Sequence, residues 1–247
     1  MADEIVRAKE VELIQRFVYL ASLKDHTRSL DILDLGCGNG FTLATLLAEH
    51  PQHRYHGVDF SEDLLAIARA RDLPGCLLSQ GDARHLDSLD RTFDIVFTER
   101  CLINILDADE QLAAIREIAR VLRPGGYYLM IEGFLEGLSL NNKARQEVGL
   151  EPLKEAFHNR YFSEDIFTRL GAAFEVIPPA AFNPEALSLG IQNNFLSSHY
   201  FIARVLHPLV TKGEWIRNTE FVRFFSTLPP SGDYSPIKAF ILRRRGS

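Results

Sequence analysis

Sulfur-bearing and indole side chains are scarce in this chain of 247 residues, which has three cysteines, two methionines and one tryptophan. Cys37, Cys76 and Cys101 are odd in number, widely spaced and free of any CxxC pair. This excludes a disulfide framework and a structural zinc site, no metal site is expected, and reduced thiols in a cytoplasmic protein fit the pattern. A long uncharged apolar run is also missing, so no membrane span is predicted. The opening Met1-Ala2-Asp3-Glu4 is acidic and runs into a charged amphipathic pattern, unlike a signal peptide. An excess of positive charge is absent too. The net charge is −6, and residues 1–132 carry 14 Lys/Arg against 22 Asp/Glu, which argues against a nucleic-acid face. Residues 133–247 lean the other way, with 13 against 11, a shift that fits either an anionic substrate or the solvated run Arg243-Arg244-Arg245. There is no internal repeat, low-complexity tract or linker. With 46% hydrophobic content, the expectation is one domain over 1–247.

What is present is concentrated in Ile32-Leu33-Asp34-Leu35-Gly36-Cys37-Gly38-Asn39-Gly40. Aliphatic residues run into an acid, and glycines follow at alternate positions, as in a buried strand that ends in a loop hugging a small ligand. Glycine supplies positive φ and lets backbone come close to a ligand. The helix opening at Phe41 adds unpaired N–H groups. Around this loop strands alternate with helices. Strands are predicted over Leu30–Leu35, Tyr55–Val58, Cys76–Ser79, Phe93–Thr98 and Tyr127–Ile131. Helices are predicted over Ile5–Leu23, Phe41–Glu49, from an N-cap at Ser61 through Arg71, and over Asp109–Leu122. Arg123-Pro124-Gly125-Gly126 breaks the last of these and turns into the fifth strand. Beyond residue 132 the pattern is looser: helices at Asn141–Val148, Glu164–Leu170 and Phe195–Val210, and strands at Phe174–Ile177 and Ile237–Leu242. The alternation predicts an α/β protein with a Rossmann-like, doubly wound parallel sheet and a ligand at the carboxyl ends of its strands.

Three features fall where such a site needs them. Asp59 ends the second strand, where a carboxylate can accept both hydroxyls of a ribose. Gly81-Asp82-Ala83 follows the third strand, where a short acid can accept a hydrogen bond from an adenine amino group. Leu122-Arg123-Pro124-Gly125-Gly126 leads into the fifth. Together with Gly57-Val58-Asp59 and Phe93-Asp94-Ile95-Val96, these segments resemble the class I S-adenosylmethionine-dependent methyltransferases over residues 30–132. The resemblance implies a seven-stranded sheet, mostly parallel with its last strand, Ile237–Leu242, antiparallel. It also implies an N-terminal helix in 1–29, a cofactor-binding core in 30–132, and acceptor-side insertions with the last strands in 133–247. The competing nicotinamide fingerprint, GxGxxG, would need a third glycine where Phe41 stands.

The resemblance also implies roles by position. Gly36, Gly38 and Gly40 would line the methionine and ribose part of S-adenosylmethionine, and Asp34 would organise the loop and meet the ammonium group. Asp59 would hold the ribose with Phe60 against the adenine, Asp82 and Ala83 would meet the adenine edge, and Glu99 or Arg100 would face the methionine moiety. Arg16, on the opening helix, reads as a candidate for the cofactor carboxylate or, preferably, as a solvated charge. On the acceptor side, Phe157-His158-Asn159-Arg160-Tyr161-Phe162 offers His158 as a general base, or as a surface histidine bonded to a carbonyl. Helical spacing puts Tyr200, Arg204 and His207 on one face, either over the acceptor or packed as core. His158, Tyr161 and Arg204 are the catalytic candidates; Cys101 has no activating partner. The expected activity is methyl transfer to a small molecule, at oxygen, of saccharide or secondary-metabolite type. The alternatives are N-methylation and a catalytically silent S-adenosylmethionine-binding partner protein. Neither a nucleic-acid nor a membrane partner is expected, and a homodimer is left open.

Overall fold

The computed structural model describes residues 3–24, 29–87, 89, 92–211 and 218–246. Its seven strands are β1 (Asp31–Leu35), β2 (Arg54–Asp59), β3 (Cys76–Gln80), β4 (Phe93–Glu99), β5 (Leu122–Gly133), β6 (Phe174–Ile177) and β7 (Ile237–Arg244). They form one sheet in the order β3-β2-β1-β4-β5-β7-β6. β1 pairs in parallel with β2 and β4, and β7 runs antiparallel to both β5 and β6. The expected seven-stranded Rossmann-like sheet with an antiparallel last strand is therefore what forms. The strand order reverses between β1 and β4, which puts a crevice at their carboxyl ends.

The buried strands read as continuous apolar runs because both faces of the sheet are covered. Alternate residues divide between the two sides. Ile32, Ile95, Phe97, Leu129 and Ile131 pack with Ile14, Phe17 and Val18 of α1 (Glu4–Ser22) and Leu43 of α2 (Phe41–Glu49). Leu33, Leu35, Val96, Tyr128 and Met130 pack with Leu112, Ile115 and Ile118 of α4 (Ala108–Val121). Between these helices α3 (Glu62–Arg69) starts at Ser61, whose Oγ accepts from Leu64 N, as the N-cap reading required.

Three boundaries differ from the sequence expectation, each for a tertiary reason. Strand β5 begins at Leu122, which pairs with Phe93. Register then jumps to Ile95 opposite Tyr127, so the Pro-Gly-Gly turn is a bulge inside the ladder. A Cβ on Gly126 would lie 3.0 Å from the Asp94 carbonyl oxygen, so only glycine passes there. Helix α5 (Leu135–Glu147) starts six residues early, since Gly133 and Gly137 mask its propensity. Gly137 is required because a Cβ would meet the Ser235 carbonyl oxygen at 1.9 Å. The long helix expected at 195–210 is broken into α8 (Ser197–Phe201), a π-turn (Ile202–Leu206) and α9 (His207–Val210). Pro208 has no N–H to give the carbonyl four residues back, that of Arg204. The Arg145 guanidinium, reaching from α5, donates to that carbonyl instead.

The remaining helices are α6 (Ile166–Leu170), α7 (Pro179–Phe182) and α10 (Glu220–Phe225). The start of α1 is tied to α8 and to the end of α10. Asp3, its N-cap, lies 3.4 Å from His199 Nε2, whose Nδ1 is 2.7 Å from the Ser226 hydroxyl. Among the described residues no helix is long and apolar enough to cross a membrane.

Candidate active site

The glycine loop leaves β1 along the next strand: the Gly36 and Cys37 amides both donate to the Val58 carbonyl, at 2.7 and 3.1 Å. Asp59, ending β2, then holds the loop from beneath. Its Oδ2 accepts from Gly38 N at 2.7 Å, and its Oδ1 from Ser61 N at 2.8 Å. Gly36 has φ +87° and lies against Cys101, whose Sγ and Cβ would be 2.5 and 2.6 Å from an added Cβ. Gly36→Ala is expected to cost about 3 kcal/mol or more, through clash and left-handed backbone together. Cys101→Ala should not rescue it, since that variant keeps the Cβ at 2.6 Å; thermal melts of the single and double variants check this.

Two cavities meet over this loop and share Gly36, Gly38 and Glu99. The larger, about 510 Å³, is lined by Asp59, Phe60, Asp82, Ala83, Arg100 and Leu106 among others. The smaller, about 160 Å³, is lined by Arg7, Asp34, Phe41 and Thr42. Gly40 lines neither; its neighbour is Ala68 of α3, 3.0 Å from an added Cβ, so it is a packing and helix-entry glycine. Arg16 is placed elsewhere, over the α1 surface, where it donates to the Leu189 carbonyl and pairs with Glu12. The preferred solvated-charge reading fits better than a cofactor contact. Arg7, about two and a half turns nearer the N-terminus, is the α1 arginine at the smaller cavity, with its guanidinium 4.7 Å from the Phe41 ring centre.

The electrostatics of this junction are unusual. Asp34 is buried, and burial followed by the charges of Glu99 and Asp59 pushes its carboxyl well above the ordinary range. Glu99 Oε2 accepts from the Thr42 hydroxyl at 2.9 Å. Glu10 of α1 has no exposed surface, and burial and the neighbouring Glu99 likewise push it up, against the opposing pull of Arg100. Its two oxygens lie 2.9 Å from Arg100 Nε and 3.0 Å from Arg100 Nη2. Arg100 itself has φ +51°, a left-handed backbone rare for a bulky residue, and its amide donates to the Ile131 carbonyl at 2.8 Å. The turn that follows is fixed from β5. Glu132 is fully buried and accepts from the amides of Cys101, Leu102 and Ile103 at 3.2, 3.0 and 3.2 Å. Burial raises it to about 7 in spite of those bonds.

At the far end of the larger cavity Phe60 is 71% exposed, opposite Leu106 at 56%, an open apolar slot. Asp82 is forked by Arg84, with Nε at 2.9 Å from Oδ1 and Nη2 at 2.6 Å from Oδ2, and the pair holds the carboxyl below its usual range. Arg84 also reaches Glu110 at 2.6 Å.

Residues 32–126 match the family described as a methyltransferase domain. The trans-aconitate 2-methyltransferase of Deinococcus radiodurans is 31% identical over 207 residues, 80% of this chain and 71% of that protein. The chain belongs to the class I S-adenosylmethionine-dependent methyltransferases. A demethylmenaquinone methyltransferase of Lactobacillus johnsonii is 40% identical over 106 residues, 40% of this chain and 42% of the relative. Among solved structures, the plantazolicin methyltransferase BpumL, in complex with a triazolic desmethylPZN analogue and S-adenosylhomocysteine, superposes with a TM-score of 0.58. It covers 98% of this chain and 86% of its own at 11% identity, which shows the shared fold. S-adenosylmethionine is thus the cofactor of this methyltransferase.

Of the three catalytic candidates, Tyr161 and Arg204 lie near enough for the arginine's charge to act on the phenol. The Tyr161 ring packs on Gly133 at the end of β5, where an added Cβ would lie 2.5 Å from it. Arg204 lies 6.0 Å from the Tyr200 ring centre, and both phenols feel the charges of Arg100 and Arg204. His158 is not brought in. It is exposed at the loop tip with its ring against Phe157, itself 95% exposed, and it lines neither cavity. The cause is local: Tyr161 and Phe162 turn inward to Gly133 and Phe134, so the stretch before them turns out. His207 also leaves the face it was expected to share with Tyr200 and Arg204. The π-turn rotates it onto α10, where its Nε2 is 2.8 Å from Thr219 Oγ1. Burial raises the thiols of Cys37 and Cys101, so neither is a nucleophile.

Glu10, Arg7 and Glu132 were missed from the sequence. Glu10 had a signal: it falls on the apolar stripe of α1 between Val6 and Leu13–Ile14, where a solvated charge does not belong. Glu132 had one too, as an acid closing the apolar run Tyr128–Ile131.

Proposed function

We propose that this chain transfers a methyl group from S-adenosylmethionine to an oxygen of a small molecule, in the cytoplasm. The observation that carries the reading is the group of carboxylates, Asp34, Glu99 and Asp59, gathered at the point where the strand order reverses. Acids gathered in a partly buried site repel one another, and the site is relieved either by a proton or by a cation that joins them. S-adenosylmethionine brings two positive charges, on its ammonium and its sulfonium, the latter being the source of an electrophilic methyl. Asp34 and Glu99 would hold the ammonium end, with Arg7 opposite the carboxylate. Gly36 and Gly38 would admit the backbone-close part of the ligand. Added bulk at Gly38 would meet nothing nearer than Leu64 Cδ1 at 4.0 Å and would stand in the cavity. Asp59 would take the ribose hydroxyls, Phe60 the adenine face, and Ala83 with Asp82 the adenine edge. Asp82 would do so while held by Arg84.

Tyr161 and Arg204 would then line the acceptor position, and the catalytic weight placed on His158 is withdrawn. Methyl transfer is an in-line displacement, so the protein's main task is alignment. A net charge of −6 supports a small-molecule rather than a nucleic-acid acceptor. The test is transfer of label from methyl-labelled S-adenosylmethionine into the small-molecule fraction of a metabolite extract, with His158→Ala beside the intact chain. Equal turnover by both is expected. Loss of turnover in His158→Ala with cofactor binding intact would restore the histidine as base.

A further inference from the structure

The wall of the larger cavity and the acceptor-side stretch meet at the end of β5. Glu132, fully buried there, reaches across to the segment after β4, where Oε1 accepts from the Cys101 and Leu102 amides and Oε2 from Ile103. These amides open the 3-10 turn Leu102–Asn104, which has no side-chain cap of its own, so the carboxylate of another strand caps it. The turn faces the cofactor: Cys101 packs on Gly36, and Cys101, Asn104 and Ile105 line the larger cavity. It also carries the acceptor-side stretch. The Ile103 carbonyl accepts from the Arg160 amide at 2.7 Å. Gln111 of α4, itself buried, donates from Nε2 to the Leu102 and Arg160 carbonyls at 3.1 and 2.9 Å. From the other side Gly133, next in sequence to Glu132, accepts from the Phe162 amide at 2.8 Å. Adjacent residues of β5 therefore hold the turn by a side chain and the stretch by the backbone.

We propose that Glu132 is a positioning residue: with Gln111 as a second tie, it joins the cofactor-side turn 101–104 and the acceptor-side stretch 160–162 into one body, so that filling the cofactor cavity orders the acceptor position. This rests on the methyltransferase reading and adds how the two sides are held in alignment. An in-line displacement tolerates little error, and a shift of about 1 Å from a remote change can cost about 100-fold in rate. The two walls come from segments far apart in sequence, so something must fix one against the other. An apolar residue at position 132 would leave a buried row of amides without an acceptor. A carboxylate buried there is costly in itself, and charge-assisted bonds to those amides offset the cost only in this one geometry. A cofactor pressing on Cys101 and Asn104 then meets a turn that cannot shift without straining its bonds to Arg160. Order imposed at one end is passed to the other through these bonds.

The experiment is residue-resolved amide hydrogen exchange on the full chain, followed by NMR, with and without saturating S-adenosylhomocysteine. In the intact chain the ligand is expected to slow exchange about 10-fold or more at Gly38, at Leu102 and Ile103, and at Arg160. The Arg245 amide, bonded to the Ala173 carbonyl beside the edge strand β6, is the control and should change by less than about twofold. Glu132→Gln should speed exchange at Cys101, Leu102 and Ile103 about 10-fold without ligand. It should also abolish the ligand's effect at Arg160 while keeping it at Gly38. A Glu132 that served stability alone would speed exchange but leave the ligand's effect on Arg160 in place. Gln111→Ala keeps the Glu132 bonds, so Leu102 and Ile103 should stay protected by ligand while Arg160 does not; this variant carries the test if Glu132→Gln fails to fold. Absence of ligand protection at Arg160 in the saturated intact chain overturns the proposal, as does full protection there in either folded variant. Absence of S-adenosylhomocysteine binding by the intact chain would instead overturn the methyltransferase reading beneath it. In that event exchange without ligand still reads the tie, because Glu132→Gln should free the Arg160 amide along with the turn, and an unchanged Arg160 rate would overturn it.

Discussion

Replacing Asp59 by alanine is expected to weaken S-adenosylhomocysteine binding about 100-fold, equivalent to about 3 kcal/mol. Two effects combine. The carboxylate's remaining acceptor positions, proposed for the ribose hydroxyls, are lost, and charged hydrogen bonds of this kind are worth about 1.5–3 kcal/mol each. The amides of Gly38 and Ser61, which Asp59 now holds at 2.7 and 2.8 Å, are also released, so the loop is less pre-organised. Asp59→Asn keeps one acceptor oxygen and should lose less, about 10-fold. Calorimetric titration separates the two variants, and near-equal losses would mean that the ribose contact matters more than the loop.

Asp34→Asn is expected to move stability and binding in opposite directions. In the free protein the Asp34 carboxyl sits well above its usual range, from burial first and then from Glu99 and Asp59. The folded state therefore keeps a proton that the unfolded chain has given up. Stability from this group is present at acid pH and is lost as pH rises through the elevated value. Removing the charge should raise the melting temperature of the free protein at pH 8 by roughly 3 °C, equivalent to about 1 kcal/mol in a chain of this size. The same substitution removes the acid proposed for the cofactor's ammonium group, and affinity for S-adenosylmethionine should fall about 100-fold, as for loss of a desolvated charge pair. Because a bound cation favours the ionised carboxylate, affinity of the intact chain should rise with pH, and binding should release protons. Calorimetry in buffers of differing ionisation enthalpy reads that release, which Asp34→Asn should reduce.

The cofactor half of the molecule was legible in the sequence because its constraints are local. A strand that must end in positive-φ backbone needs Gly36 and Gly38. An acid at the end of the next strand follows from register, since Asp34 pairs with Gly57 and Leu35 with Val58, which brings Asp59 beside the loop. The bulge at Arg123–Gly126 and the early start of α5 were not legible, because Gly126 and Gly137 answer to the Asp94 and Ser235 carbonyls, distant in sequence. The acceptor side was the least legible. His158 carries the chemistry of a base, yet its direction is set by Tyr161 packing on Gly133, a contact no spacing rule contains. The face drawn through Tyr200, Arg204 and His207 assumed a regular helix, and Pro208 with Arg145 made it a π-turn. Glu10 escaped notice, although the apolar stripe around it marked the position.

On the proposed reading, the junction of Asp34, Glu99 and Asp59 over the glycine loop takes the cofactor's cationic end. Titration of the intact chain with S-adenosylmethionine and with S-adenosylhomocysteine, at pH 6 and pH 8 (~2 units chosen to bracket neutrality), tests it most directly. One binding site, tighter at the higher pH and tighter for the ligand that carries the sulfonium charge, is the result expected. Binding of neither ligand, or equal affinity at both pH values for both, would contradict it.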